Sequence, residues 1–209
     1  MNRRFLLAVF VLLAGLEFAV FFYRSDHFFQ GDTIFWFYHR LPALSSFLRS
    51  FVTTDPGGWY RPLTNRTIQS LFFPVWGLAP DNYRWIQFLF FAADTAALLM
   101  LAVKLKLGDA AAAVAGIFFA LHTVNAYTTY DLSFTPELLY AFFYVCAAAS
   151  FIHYLDTGAN RFRLISIACF VLSLLSKESA VTLPMTLVML GVVAGLPPRQ
   201  AVARAIAHI

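Results

Sequence analysis

Three acids and a run of arginines share one polar interval between apolar stretches, and their types suit acid–base and anion-binding chemistry. From Arg24 to Arg66 the chain carries Asp26, Asp32 and Asp55 beside Arg24, Arg40, Arg49, Arg61 and Arg66, with His27 and His39 among them. Later, Asp131, Glu137 and the adjacent Lys177 and Glu178 interrupt apolar sequence. A carboxylate can remove the proton of an attacking hydroxyl. Arg61 offers a bidentate fork to a phosphate and Lys177 a point charge, so these two are the candidate anion contacts. The carboxylates would also suit a divalent cation, although spacing assigns no ligands. No His-x3-His or Cys-x2-Cys pair of a zinc site occurs, nor a Gly-rich phosphate loop, nor the Gly-x-Ser-x-Gly of a serine hydrolase.

The elements that must position these groups are membrane helices. Of 209 residues, 60% are hydrophobic and only 12% charged, about half the charged share of a soluble chain. Mean hydropathy is +0.70. Charge survives in so apolar a chain where water, a headgroup or a substrate meets it. The net charge of +4 does not indicate nucleic acid, because the Lys and Arg flank apolar runs instead of forming a basic stripe with stacking aromatics. Cys146 and Cys169 lie inside apolar runs and read as small hydrophobes.

Six apolar runs are expected to form about six spans: Phe5 to Tyr23, Tyr83 to Val103, Ala110 to Val124, Pro136 to Tyr154, Leu164 to Leu175 and Val181 to Ala194. The first continues through aromatic residues where a signal peptide would show small ones, so it is read as a retained helix. The third and the last two are short for a span. Arg3 with Arg4, Lys104 with Lys106, Arg161 with Arg163, and Arg199 with Arg204 then fall on one side, which the charge rule makes the cytoplasmic one. Residues 24–66 become the first outer loop, together with Asp131, Glu137, Lys177 and Glu178 on the outer side. The arginines of that loop run against the rule and point to a bound anion. An integral protein of a bacterial inner membrane, N-terminus cytoplasmic, is the expected location, with membrane lipids as partners.

Within the loop, Leu44, Phe47, Leu48 and Phe51 recur at helical spacing opposite Ser45, Ser46 and Arg49, the pattern of a helix lying in the interface plane. Ile68, Leu71, Phe72, Val75 and Trp76 repeat it after Thr67, with Pro74 to kink the helix and Gly77 to end it. Arg84 and Trp85 read as an interfacial belt. Structural explanations stand beside the chemical ones. Asp32 fits an N-cap, Glu137 the positive end of a helix, and Lys177 with Glu178 a membrane boundary. His122 and His153 read as satisfied structural residues. Glu17 and Asp94, inside apolar runs, are costly there without a partner.

Five segments in order carry a resemblance: Tyr60 to Asn65 (YRPLTN), Trp76 to Tyr83 (WGLAPDNY), Phe119 to His122 (FALH), Thr135 to Tyr140 (TPELLY) and Leu175 to Pro184 (LSKESAVTLP). Their sequence resembles membrane glycosyltransferases of the GT-C fold, in the branch with protein O-mannosyltransferases and their tetratricopeptide-bearing relatives. The resemblance implies an all-α polytopic domain over residues 1–209, the N-terminal part of a longer GT-C module. It also implies inverting transfer of a sugar from a polyprenyl-phosphate donor to a lipid, glycan or protein acceptor on the outer face.

On that resemblance Asp32 matches the acid of the first outer loop that assists the acceptor. Glu137, Lys177 and Glu178 match later motifs at the donor, with Lys177 the phosphate contact. The chain departs from the pattern at Asp32, single where many relatives carry two neighbouring acids, and at Thr135, where an Arg often precedes the matched acid. A carrier or flippase-like protein, with Glu17 and Asp94 as coupling acids, and a non-catalytic membrane subunit are the alternatives.

Overall fold

The computed structural model describes residues 2–23, 29, 31–38, 43–54, 57–125, 128 and 131–206. Arg24, Asp26, His27, His39, Arg40 and Asp55, counted above in the polar interval, lie outside the described residues. Every regular element among those described is helical. The first helix, α1 (Arg3–Phe22), starts where the Asn2 side chain accepts from the Arg4 and Phe5 amides at 3.1 and 3.3 Å, an N-cap for two orphan donors. Two short helices follow, α2 (Asp32–Tyr38) and α3 (Leu44–Arg49), then α4 (Phe73–Trp76). A proline in the first turn opens α5 (Pro80–Lys104), and Lys104 sits at its negative end. After α6 (Asp109–Leu121), a 3-10 turn at Leu132–Phe134 leads into α7 (Thr135–Thr157). Gly158, left-handed at φ 68°, closes α7 by donating to Tyr154 O at 2.8 Å. The chain then returns as α8 (Asn160–Ser176), α9 (Leu183–Val193) and α10 (Pro198–Ile206).

All six apolar runs become helices. Among the described residues, three helices are long and apolar enough to cross a membrane: Arg3–Phe22, Pro80–Lys104 and Leu132–Thr157. The others have 13, 17 and 11 residues in α6, α8 and α9. Local breaks shorten them. At His122 the backbone turns extended at ψ 132° and ends α6. Lys177, at φ −159°, ends α8, and a 3-10 turn at Glu178–Thr182 stands between it and α9.

The surface helix expected from Leu44 is present as α3, with Leu44 and Leu48 exposed and the Phe47 and Phe51 rings 5.4 Å apart. The second surface helix is corrected. Its helical path begins at Pro62, not after Thr67, and runs through π-helical turns at Pro62–Arg66 and Ile68–Phe72 into α4. Thr64, Asn65, Arg66, Gln69 and Ser70 are buried in it. Arg66 NH1 donates to Gln69 Oε1 at 3.1 Å and Thr64 Oγ1 to Ser176 O at 3.1 Å, which gives these three side chains interior partners, while Ser70 Oγ is buried without one among the described residues. This segment therefore packs into the end of the bundle. Gly77, at φ 53°, ends it as expected. Arg84 is buried, while Trp85 is exposed and rests 4.5 Å from the Phe22 ring, so only Trp85 keeps a surface place.

Small residues let the helices approach. Ser166 Oγ donates to Ala147 O at 2.8 Å and Ser173 Oγ to Tyr140 O at 2.9 Å, tying α8 to α7 beside a core of Ala147, Ala148, Phe151 and Ile152. Helix α5 packs on α7, α1 and α6. The helices alternate between two poles. At one pole the Asn2 amide donates to the Asp109 carboxylate at 3.2 Å, and Lys104 Nζ lies 3.1 Å from His153 Nδ1. At the other, Gln87 Nε2 donates to Asp131 O at 2.8 Å, and the chain around Arg61 meets that around Glu178.

Candidate functional site

Arg61 stands before Pro62, at the mouth of the buried π-helical segment. Its Nε donates to Glu178 Oε2 at 2.9 Å and its NH2 to Oε1 at 2.5 Å, a bidentate pair. The guanidinium also lies 5.6 Å from the centroid of the Trp59 ring, in reach of its negative face. The Arg61 hydrogen bond, ahead of all other causes, holds the Glu178 carboxyl below the usual Glu range.

Lys177 and Glu178 are adjacent, and on one helix they would share a face poorly. The extended backbone at Lys177 resolves this, because successive side chains of an extended chain point opposite ways. Lys177 reaches α7, where its Nζ donates to Glu137 Oε1 at 2.5 Å and sits 5.9 Å from the centroid of the Tyr140 ring. Glu178 turns back to Arg61. Glu137 Oε2 is buried and has no partner among the described residues. Four of the residues singled out in the sequence thus form two ion pairs joined through one peptide bond. Beside them, Gly58, Trp59, Tyr60, Leu174, Leu175 and Val181 line a cleft of about 490 Å³ that Glu178 also borders. Its walls are apolar and aromatic, and its charged edge is Glu178, which Arg61 holds.

Asp32 is on a neighbouring loop. It is exposed, in the first turn of α2, and follows Gly31, whose φ of 54° few other residues adopt. The next residue, Thr33, is buried and donates from Oγ1 to Asp131 Oδ1 at 3.1 Å. That same oxygen accepts from the Ser133 amide at 2.9 Å. Asp131 is therefore the anchor of the Asp32 turn, and Gln87 on α5 anchors Asp131 in turn. The sequence set Asp131 among the outer acids without a role, although an Asp two residues before a Ser at a helix start is a legible capping signal. Gln87 and Thr64 gave no such signal.

From Asp131 to Glu137 the path is half a 3-10 turn and half an α-turn, about 10 Å by rise per residue. Asp32 makes no bond to the ion pairs among the described residues, and its turn is tied through Thr33 to Asp131, six residues before Glu137. No group of three or more His, Cys, Asp or Glu able to hold a metal is assembled among the described residues, so no metal ligand set is assigned. His122 Nδ1 accepts from the Val124 amide at 3.1 Å, and His153 is tied to Lys104, which gives both histidines structural partners.

Comparison with protein-family models, curated proteins and solved structures gives no match to this chain.

Proposed function

We propose that the protein is a membrane transferase that moves a sugar from a polyprenyl-phosphate donor to a lipid, glycan or protein acceptor at the outer face of a bacterial inner membrane. The observation that carries this reading is the pair of adjacent ion pairs, Arg61–Glu178 and Lys177–Glu137, of which Glu178 borders an apolar cleft. A prenyl chain suits the apolar walls, and a phosphate suits the two cations. Arg61 would share its fork between Glu178 and phosphate, and the Lys177 ammonium, with three donors, would bridge Glu137 and phosphate.

In the reaction, the acceptor oxygen bonds to the anomeric carbon as the bond from that carbon to the phosphate oxygen breaks. Asp32 takes the acceptor proton, and the phosphate leaves on the polyprenol with the negative charge it gains held by Arg61 and Lys177. Attack opposite the leaving group inverts the anomeric centre. Asp32, exposed on its turn, has the access that a base for an external acceptor needs.

Binding of radiolabelled polyprenyl phosphate to the purified full chain tests the phosphate seat. Loss of a charge-assisted contact costs ~1.5–3 kcal/mol, so Lys177→Gln and Arg61→Gln should each weaken binding by about 10- to 100-fold. Equal binding by wild type and both variants contradicts the seat.

A further inference from the structure

Away from the outer cluster, the helices enclose a second set of acids. Glu17 on α1 is 1% exposed and Asp94 on α5 is 3% exposed, both inside helices long enough to cross a membrane. Thr95 Oγ1 donates to Glu17 Oε1 at 2.5 Å. Glu17 Oε2 and both Asp94 carboxylate oxygens are buried without a hydrogen-bond partner among the described residues. Asp94 precedes Thr95 on α5, so the Thr95–Glu17 hydrogen bond sets the two acids at one level of the bundle.

The surrounding elements do not neutralise them. Helix α7 contributes Tyr140 and Cys146, neither a cation, and both feel the charge of Asp94. The one titratable residue of α6 is Asp109, at the opposite pole beside Asn2. Helix α1 carries Arg3 and Arg4 at its first turn, about 20 Å from Glu17 by helical rise. Two neighbouring carboxylates in hydrocarbon are costly unless a positive charge joins them. Three unpartnered carboxylate oxygens and one hydroxyl are hard ligands, which favour a hard cation. The set is too small for calcium, which takes six to eight oxygens.

We propose that Glu17, Asp94 and Thr95 form an intramembrane site for a monovalent cation, a proton or a sodium ion. The site is independent of the phosphate seat and holds whether the chain transfers sugars or not. A cation bound only by the folded protein stabilises it by mass action.

Thermal unfolding of the purified full chain in detergent tests this, with sodium exchanged for choline at constant ionic strength, at pH 6 and at pH 8. A sodium site raises Tm at pH 8 by about 5 °C or more when sodium is a hundredfold above its Kd. A proton site gives a higher Tm at pH 6 than at pH 8 whatever the sodium concentration. In either case Asp94→Asn removes the response, and Glu17→Gln provides the same check if the first variant does not fold. A wild-type Tm that changes with neither ion, or changes equally in the variants, overturns the proposal.

Discussion

Lys177 donates to Glu137 Oε1 at 2.5 Å, and this bond fastens the break between α8 and α9 to the first turn of α7. Both side chains are mostly covered, at 19% and 29% exposure. Lys177→Met would leave Glu137 in that setting with neither oxygen paired. The expected loss is about 1–3 kcal/mol, the penalty for a polar group stripped of its partner. Replacing both, as Lys177→Met with Glu137→Leu, should recover most of it, since removing a whole buried pair is often neutral. Thermal unfolding of the three variants in one detergent measures the difference. A double variant as unstable as Lys177→Met would show that the pair's charge is not what the fold needs.

The Arg61–Glu178 pair differs because Glu178 is 60% exposed. Its carboxyl is held below its ordinary 4.5, so the stabilisation is present above that value and is lost as pH falls through the lower, folded one. Solvent screening limits it to about 1 kcal/mol or less. Glu178→Gln should lower the unfolding midpoint slightly at pH 7 and by less at pH 3. Equal effects at both pH values would remove the ion pair from the explanation.

Asp131 shapes the turn that carries Asp32 without being placed at the reaction itself. Asp131→Ala removes the acceptor used by both Thr33 and the Ser133 amide. Misplacing a base in this way should lower kcat by about 10- to 100-fold with little change in donor KM. Asp131→Asn keeps an accepting oxygen at the same place and should restore most of the rate. A rise in KM with kcat unchanged would instead assign Asp131 to donor binding.

Gly116 marks the closest approach of α6 to its neighbours. A Cβ there would meet Leu99 Cδ2 at 3.0 Å and Leu13 Cδ1 at 3.1 Å. Both are ends of flexible side chains, so Gly116→Ala should be tolerated. Gly116→Leu needs room that the packing lacks and should cost about 1–3 kcal/mol. Unfolding midpoints of the two variants check this, and equal midpoints would mean that α6 moves freely.

Much of the fold was legible because its signals are local. Each apolar run became a helix, and Gly77 ended the segment it was expected to end. Helix length was less legible, because apolarity reports what a helix can touch and not whether it continues for the full bilayer thickness. The segment from Pro62 to Trp76 was misread for a related reason. Its apolar residues keep surface-helix spacing, while Thr64 bonds to Ser176 and Arg66 to Gln69, partners distant in sequence or set by π-helical turns.

The candidate site was legible as residue types and not as pairings. Lys177 and Glu178 looked like a boundary marker, and only the extended backbone at Lys177 sends them to opposite partners. The acids Glu17 and Asp94 stood out as costly, but their meeting across α1 and α5 depends on helix rotation, which the nearly uniform apolarity of α1 leaves undefined.

The central claim is sugar transfer assisted by Asp32, and the most direct measurement is transfer of labelled sugar from a set of polyprenyl-phosphate donors in membranes carrying the protein. Wild type and Asp32→Asn are compared at matched expression. Donor-dependent transfer by wild type that falls by about 100-fold or more in the variant is the predicted result, the range expected when a general base is removed. Transfer that proceeds equally in both would contradict the role of Asp32, and no transfer from any donor in the set would contradict the reading as a transferase.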